Sequence, residues 1–582
     1  MSQPLESRIP PSSEGIQVNF CHNPNCGNFG IPASNERSDP RYRKVAVGKL
    51  QPAIKCKLCG DISQLKSNKA IVEEVNRISR SPLISRAVRH TGYSCPTPDC
   101  QNYLLKISTN PKQYRKRGST SSGNQKFSCK QCGKMFTVGS KKHREGVKNF
   151  ANSHIGVFKH LVIGTPLRGI EQFYETTNTE TYRKIDLFYE RCMLFAHERE
   201  RRIATLSIPR MQLACDRQDY LANWSNRKDK RTTQLSAIGT ADKESGYVFG
   251  MEINFDSSIS LQTIIEDPSF EEGLKQQLPF RTHARVWTPD EIKLFATEGG
   301  REHDSKSGLS DLLESQRLIN GDRSIVEMLR ENKLPSNGVQ VHSEYTQYAH
   351  FIKLADQLRN VGRLTIYTDL EAGIANAINL AFKDRIVDGN VKHLFLHFNK
   401  GLTNDERRNS VGETKRLIEE FMNQRGWSDP ELAELALISF SMLAPIEADK
   451  RGMVGSSNIW FHNPINTINE CEKRVSFVKS ARNLDWEHRA RLIRNATLAP
   501  IDTFFNQVRE KVSYLGRGSA NPSSNRRIWN KQSPYNPAQM EKVLQIYRVY
   551  RNFCMFRSGS KETPAMRLGL AKGKVSIMDI IG

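Results

Sequence analysis

The sequence predicts a multidomain chain in which two small cysteine-rich modules and a helical domain precede an α/β core with helical insertions. Three observations support this prediction. A cysteine pattern occurs twice near the start, helical spacing with turn signals follows over residues 145–205, and short apolar strands that end in acids begin near residue 206. A chain of 582 residues is long enough for two to four domains.

Eight of the twelve cysteines form the repeated pattern, in which C-x4-C is followed by C-x2-C. The two sets are Cys21, Cys26, Cys56 and Cys59, and Cys95, Cys100, Cys129 and Cys132. Two pairs of thiolates are what tetrahedral Zn²⁺ needs, so we predict two structural Zn²⁺ sites in zinc-ribbon-like modules. The alternative is disulfide bonding, but nothing else in the chain is typical of a secreted protein. His22 is a spare ligand candidate.

Composition favours a polyanionic partner, because the formal net charge is +24 and the pI is about 9.5. A generic basic surface is the alternative. The basic clusters at residues 112–117, 134–144, 199–202 and 227–231 lie within or beside the modules, where they would contact backbone phosphates. The first residues do not form a signal peptide, and no apolar run is long enough to span a bilayer, so no membrane partner is expected.

The predicted boundaries follow these patterns along the chain. They give a polar tail at 1–20, the first zinc module with a helix at 21–92, the second zinc module at 93–144, a helical domain at 145–205, and a core at 206–582 with insertions near 257–345 and 400–490. The other four cysteines, which are Cys192, Cys215, Cys471 and Cys554, are predicted to be small buried hydrophobic residues.

The helical domain has the turn signals of a helix-turn-helix. Thr165-Pro166 suits an N-cap followed by N1, and a second break over 176–179 precedes a last helix. That helix would be the recognition helix, with Thr179, Thr181, Tyr182, Arg183 and Lys184 near double-stranded DNA. An ordinary helical linker is the alternative.

The core pattern begins with three strands, at 211–216, 233–242 and 246–255, with a hairpin turn at 243–246. A fourth strand at 364–369, a helix at 370–381 and a strand at 391–398 follow, and an amphipathic helix at 495–517 precedes a last helix at 537–553. This order of elements is typical of a ribonuclease-H-like sheet: three strands come first, a crossover leads to a strand that ends in Asp, and a helix with another acid follows.

Acids at matching strand ends of such a sheet can meet at one point. Asp216 and Asp369 are the first two candidates, although a lone Asp at a strand end is often a turn former. Three carboxylates held together bind two Mg²⁺ or Mn²⁺ ions, which prefer hard oxygen ligands and keep positions open for phosphate oxygens.

The segment 502–517 resembles the third-acid helix of bacterial insertion-sequence transposases of the DDE type. The matching residues are Asp502, Asn506, Arg509, Leu515 and Arg517. Residues 547–553 and 563–570 resemble the last helix and closing motif of that family, and zinc knuckle, helix-turn-helix and catalytic core come in the same order. The resemblance covers roughly residues 93–250 and 360–582.

The resemblance implies a function. It makes Asp502 the third metal ligand and places Arg509 and Arg517 at DNA. It implies a transposase that binds element ends and catalyses metal-dependent cleavage and strand transfer into target DNA, working as a homo-oligomer in the bacterial cytoplasm at the nucleoid.

The chain departs from the family at three points. Asp502 stands where the family usually has Glu, so it is one methylene shorter; Glu510 or Glu487 would replace it if Asp502 only favours the helix dipole. The duplicated zinc module and the long insertions are also unusual. A domesticated DNA-binding regulator or defence protein with a decayed or repurposed nuclease core is therefore the alternative. An RNA-binding zinc protein is a weaker one, because no aromatic stacking strands are evident.

Overall fold

The structure, a computed structural model, describes most of the chain. The described residues are 7–46, 51–79, 95–97, 100, 102, 107, 111–121, 125–138, 154–222, 233–291, 333–445, 459–481, 483–516, 519–520, 527–528 and 536–581.

The first module is a small antiparallel sheet followed by a helix. Its elements are β1 (Tyr42–Ala46), β2 (Pro52–Cys56), β3 (Ile62–Gln64) and α1 (Asn68–Ser79). Residues 7–20 belong to this module, which corrects the prediction of a polar tail. Ile9 is buried beside Cys21 and Cys56, and the Val18 amide donates a 2.9 Å hydrogen bond to Asn68 Oδ1. The few apolar residues of this stretch are buried, although its mainly polar composition predicted an exposed tail.

The second module repeats the three-stranded antiparallel arrangement. Its strands are β4 (Tyr114–Ser119), β5 (Gln125–Cys129) and β6 (Met135–Val138), preceded by a 3-10 turn at Pro111–Gln113. The buried side chains of Tyr114 and Phe127 form a separate cluster with its cysteines, and Phe136 packs against that cluster.

Three helices follow, at residues 154–162 (α2), Leu167–Phe173 (α3) and Asn178–Glu200 (α4). The break before α3 lies where it was predicted, but Pro166 is its N-cap residue, and the Thr165 hydroxyl contacts His160 Nδ1 at 2.9 Å instead of capping the helix. Thr177 caps α4 by accepting a hydrogen bond from the Glu180 amide.

The core begins with β7 (Arg210–Ala222), β8 (Thr233–Asp242), β9 (Val248–Ile253), β10 (Phe255–Asp256), α5 (Leu261–Ile265), α6 (Ser269–Leu274), β11 (Val339–Gln340), α7 (Ser343–Gln357), β12 (Arg363–Asp369), α8 (Ala372–Ala381), α9 (Lys383–Val387) and β13 (Val391–His397). It continues with α10 (Asn404–Arg425), α11 (Pro430–Ser441), β14 (Trp460–His462), β15 (Arg474–Phe477), α12 (Trp486–Asn495), α13 (Ala499–Lys511), β16 (Ser519–Ala520), β17 (Arg527–Ile528), α14 (Pro537–Cys554), α15 (Pro564–Arg567) and α16 (Ile577–Ile581).

Seven strands of the described residues form one mixed sheet in the order β14-β15-β13-β12-β7-β8-β9. β7, β8 and β9 are antiparallel neighbours, whereas β12 runs parallel to β7 and β13 runs parallel to β12. β15 and β14 continue the sheet in antiparallel fashion beyond β13. The sheet is therefore antiparallel on both sides of a parallel centre.

Helices α13 and α7 cover opposite faces of this sheet. A Cβ on Gly239 of β8 would lie 3.0 Å from Ile501 Cδ1 and 3.3 Å from Phe505 Cε1, so α13 packs closely on that face. The hydroxyl of the next residue, Thr240, contacts His350 Nε2 of α7 at 2.7 Å. Since successive residues of a strand point to opposite faces, the two helices enclose the sheet.

Helix α14 covers the outer edge of β9. Asn552 exchanges two hydrogen bonds with the backbone of Val248, at 3.0 and 2.8 Å, and Gln545 Nε2 donates to the Met251 carbonyl at 2.9 Å. These side chains satisfy backbone groups that an edge strand would otherwise expose.

Two sequence predictions about the core need correction. β7 extends to Ala222, so Asp216 lies inside the strand and not at its end. The segment 400–490 is more than a helical insertion, because it also contributes β14 and β15 to the sheet. These strands have three and four residues, too few to show an alternating pattern.

The first zinc module is docked on the core. Arg285 Nη1 lies 2.8 Å from Glu74 Oε2 of α1, and Arg77 Nη1 lies 3.2 Å from Glu541 Oε1 of α14. Asn379 Nδ2 also donates a 2.8 Å hydrogen bond to the His22 carbonyl. The charges of Glu74 and Arg77 on α1 are thus paired with residues from two distant parts of the chain.

Among the described helices, none has the length and apolar character that crossing a membrane requires.

Candidate functional site

The first four predicted zinc ligands lie together. Cys21 Sγ is 3.5 Å from Cys59 Sγ, Cys26 Sγ is 3.7 Å from Cys56 Sγ, and ligand atoms of all four residues lie within 4.8 Å of one another. A disulfide bond would bring two sulfurs to about 2.05 Å, so the cysteines are free thiols. This cluster could hold a zinc ion.

The second cluster has the same geometry. Cys95 Sγ is 3.4 Å from Cys132 Sγ and Cys100 Sγ is 3.7 Å from Cys129 Sγ, again with all four ligand atoms within 4.8 Å. It could also hold a zinc ion.

His22 lies outside the first cluster. Its Nε2 faces the Val18 carbonyl at 3.1 Å, and burial lowers the pKa of the ring to about 4.

Each cluster is supported by an equivalent asparagine and tyrosine, which the sequence reading missed. Asn28 Nδ2 donates to Cys56 Sγ and Asn102 Nδ2 donates to Cys129 Sγ, both at 3.3 Å. The hydroxyls of Tyr42 and Tyr114 each bridge the first cysteine amide of their module and the carbonyl of that asparagine. A C-x4-C-x-N pattern, present in both sets, was the available signal.

Asp216 and Asp369 lie side by side on neighbouring parallel strands. The register pairs Cys215 with Thr368, so the next residues on the two strands are the two acids. Each carboxylate accepts a hydrogen bond from the following amide, Arg217 N to Asp216 Oδ1 at 2.7 Å and Leu370 N to Asp369 Oδ1 at 2.8 Å. The strand register therefore gives both acids the same local setting.

Asp502 reaches the same face of the sheet from α13. This helix lies over Gly239, which is the partner of Asp216 in the antiparallel register of β7 and β8. Burial raises the pKa of Asp216 well above its ordinary value, and the charges of Asp369 and Asp502 raise it further. The three acids that were predicted from distant segments of the sequence thus interact electrostatically.

Asp502 is itself perturbed. Burial raises its pKa to about 6, with added effects from Glu470 and Asp369, while the positive charges of Lys400 and Arg509 act in the opposite direction.

Lys400 is a further member of this site, and the sequence reading missed it. Its Nζ lies 3.1 Å from Asp369 Oδ2. Partial loss of hydration lowers the pKa of Lys400, but the negative charges of Asp369, Asp216 and Asp502 outweigh that effect, so the net direction is upward. No recognisable pattern marks Lys400 in the sequence, because it belongs to the loop after β13.

The acids have the right chemistry for hard divalent cations but are not gathered into a closed ligand cluster. The carboxylate oxygens of the three acids do not all lie within 4.8 Å of one another, whereas the Sγ atoms of each cysteine set do. Lys400 pairs with one of these oxygens. Three carboxylates are therefore suitable ligands for a divalent ion, but in this structure their oxygens are too far apart to bind one ion together.

Glu470 fixes the start of the helix that carries Asp502. Its Oε1 accepts hydrogen bonds from the Thr497 hydroxyl at 2.8 Å and from the Leu498 amide at 2.7 Å. Its Oε2 pairs with Lys473 Nζ at 3.0 Å, and both side chains are buried. Glu470 lies inside the predicted insertion, so the sequence offered no reason to select it.

The predicted recognition helix exposes only part of its proposed contact surface. Thr179 and Arg183 are exposed and Tyr182 is half-buried, but Thr181 and Lys184 are buried. Because α4 packs against α14, the buried side chains of Thr181 and Lys184 are not available to DNA, and their predicted role as DNA contacts is wrong. Lys542 Nζ of α14, for example, lies 2.6 Å from Asp186 Oδ1 of α4.

The two arginines of the proposed third-acid motif differ in what the structure describes. Arg509 is half-buried and donates to Asn506 Oδ1 one turn earlier on α13. Arg517 lies outside the described residues.

The second zinc module presents a basic strand. Tyr114 of β4 is buried, whereas the following residues Arg115, Lys116 and Arg117 are exposed. Lys130 and Lys134, beside the second cysteine pair, are exposed as well. This surface has the charge that backbone phosphates require.

Comparisons with known proteins add no relative. No family model matches the sequence, and no curated protein or solved structure is significantly similar to this chain.

Proposed function

We propose that this chain is a DNA transposase of an insertion-sequence-like element, with a ribonuclease-H-like catalytic core. The observation that carries the proposal is the convergence of Asp216, Asp369 and Asp502 on one face of the sheet. Like charges brought together in a partly buried site are unfavourable for folding, and such arrangements are typical of functional sites.

The strand order supports the proposed core. β9, β8 and β7 are antiparallel, and β12 and β13 then continue in parallel from β7. This is the order that three strands and a crossover to an acid-bearing strand would produce, and α13 adds the third acid.

In this proposal Asp216 and Asp369 are held on rigid strands, while Asp502 approaches on a helix anchored by Glu470. Bound Mg²⁺ or Mn²⁺ would activate the attacking hydroxyl and stabilise the leaving oxygen of an in-line displacement. The three carboxylates would hold the ions. Because the side chain of Asp502 is one methylene shorter than the Glu usual in the resembled family, it would have to come closer or bind through water.

DNA binding is assigned to the second zinc module and to the exposed end of α4. The basic strand β4 would contact backbone phosphates, and Thr179 and Arg183 would face the duplex. Because transposases of this type bring two element ends together, the proposal includes a homo-oligomer. It also includes a bacterial cytoplasmic location at the nucleoid.

The test is strand transfer by Asp369→Asn with labelled element ends and Mn²⁺. We expect activity to fall about a hundredfold or more while duplex binding persists, because one metal ligand is lost. Asp405→Asn, on the exposed start of α10, is the matched control and should keep full activity. Full activity in Asp369→Asn would contradict the proposed catalytic triad.

A second candidate is a domesticated DNA-binding regulator or defence protein with an inactive core. The pairing of Lys400 with Asp369 and the open arrangement of the acids favour it. Terminal inverted repeats and a short target duplication around the coding sequence would support a mobile element. A stable neighbourhood that lacks both would support the regulator.

A further inference from the structure

Lys400 stands on a loop whose backbone is fixed. The Asn399 amide donates to the Cys471 carbonyl at 3.1 Å, the Gly401 amide donates to Asn399 Oδ1 at 3.0 Å, and Arg407 Nη2 donates to the Lys400 carbonyl at 3.0 Å. The side chain of Lys400 is nevertheless 67% exposed. A well-held backbone thus presents a solvent-accessible ammonium group at the acid site.

That ammonium group acts on all three acids. Lys400 Nζ contacts Asp369 Oδ2 at 3.1 Å, and its charge also interacts with Asp216 and Asp502. The charge of Lys400 lowers the pKa of both Asp216 and Asp502, and Arg509 adds to this effect at Asp502. Lys400 therefore offsets the repulsion among the acids in this state of the protein.

A divalent ion and Lys400 compete for the same carboxylates. The oxygen of Asp369 that accepts from Lys400 is less available to a metal, and an ammonium group at this position repels a second cation nearby. An exposed lysine can instead pair with a DNA phosphate, which is a common partner of such side chains.

We propose that Lys400 is the resident counter-ion of the acid site and that it moves to a backbone phosphate when duplex DNA binds. Its departure frees Asp369 for a divalent ion, so DNA binding and metal binding are coupled. This inference rests on the proposed function, because it takes the acids as metal ligands and DNA as the substrate. The coupling is reciprocal. If duplex DNA raises the affinity of the protein for the metal by some factor, the metal raises the affinity for the duplex by the same factor.

The test is a Mn²⁺ titration of the full-length, zinc-loaded protein, followed by electron paramagnetic resonance. Without DNA, Lys400→Met should bind Mn²⁺ about tenfold more tightly than the natural protein, because a competing positive charge is removed. Lys400→Arg keeps the charge and should remain close to the natural protein. Lys415→Met, at an exposed position of α10, is the matched control.

A second arm adds duplex DNA. The Mn²⁺ affinity of the natural protein should rise, whereas that of Lys400→Met should change much less, since Lys400 is already absent. The Asp216→Asn variant shows which part of the Mn²⁺ signal comes from the acid site, because that part should be lost when Asp216 is replaced. Mn²⁺ binding that depends on Asp216 but is the same in Lys400→Met would overturn this inference and leave the proposed function in place. An absence of Asp216-dependent binding, even with DNA, would overturn both.

Discussion

Asn28 and Asn102 show how single side chains complete the cysteine clusters. Each donates an amide N–H to the sulfur of the third cysteine in its set, at 3.3 Å. Each is in turn held through its carbonyl by the hydroxyl of Tyr42 or Tyr114. A donor aimed at sulfur stabilises the thiolate, which is the form that binds zinc.

Replacing Asn102 with Leu should therefore weaken zinc binding by the second module about tenfold or more. Competition between the protein and a coloured chelator measures this affinity. Asn423→Leu, at an exposed position of α10, provides a control for the change of side chain. Equal affinities in the two variants would show that the hydrogen bond to Cys129 is unimportant.

The cysteines were predictable from spacing alone, whereas the only signal for the supporting asparagines was the C-x4-C-x-N pattern that the two sets share. Four thiols at C-x4-C and C-x2-C form a pattern with one dominant explanation. Asn28 and Tyr42 are common residue types, and only the folded loop brings Asn28 to the sulfur and Tyr42 to the backbone of Asn28.

At the level of elements, α13 depends on a residue from another segment. Glu470 accepts hydrogen bonds near the start of this helix, and its charge is balanced by Lys473. Lys473 also donates to the Ala496 carbonyl at 2.7 Å, so the pair joins the segment before β15 to the segment before α13. The position of Asp502 is thereby tied to the start of β15.

Glu470→Gln should destabilise the core by about 3 kcal/mol, because it leaves Lys473 buried without its charge partner. The double variant Glu470→Gln with Lys473→Met should lose less than the single one. Calorimetric unfolding of both variants measures the coupling. An exposed glutamate, as in Glu413→Gln, should have little effect. A double variant that is less stable than Glu470→Gln would contradict this pairing.

Most core elements were predictable because their patterns are strong. β8 occupies the predicted range 233–242, and the apolar stripe of α13 is buried as expected. The length of β7 was not predictable, since Arg217 and Asp219 interrupt its apolar pattern. Both find partners in the folded chain, Arg217 with Glu371 and Asp219 with Ser236. Tertiary contacts thus extended a strand beyond its local signal.

At the scale of the whole molecule, the two cysteine modules differ in how they are attached. Val18, Phe20 and Ile71 of the first module belong to the main hydrophobic cluster, and α1 is joined to the core by buried ion pairs. The buried residues of the second module form a cluster of their own and leave a basic strand exposed. The first copy packs as part of the core, and the proposed function assigns contact with DNA to the second.

This difference predicts unequal effects of losing zinc. Cys59→Ser should lower the melting temperature of the core by about 5 °C or more, because a docked module is disrupted. Cys132→Ser, the equivalent change in the second module, should leave the core transition nearly unchanged and weaken duplex binding. Calorimetry and a binding titration measure the two effects. Equal shifts of the core transition would contradict the assignment.

The ion pair between Arg77 and Glu541 also bears on how the chain is made. These residues are 464 positions apart. At ribosomal rates of about 5–20 residues per second, roughly half a minute to a minute and a half separates their synthesis. The first cysteine module emerges early and can take up its ion at once, but the surface that receives α1 is completed only when α14 has left the ribosome. During that interval, Arg77 lacks its partner on α14, so a module made early is fully paired only after the last long helix has been made.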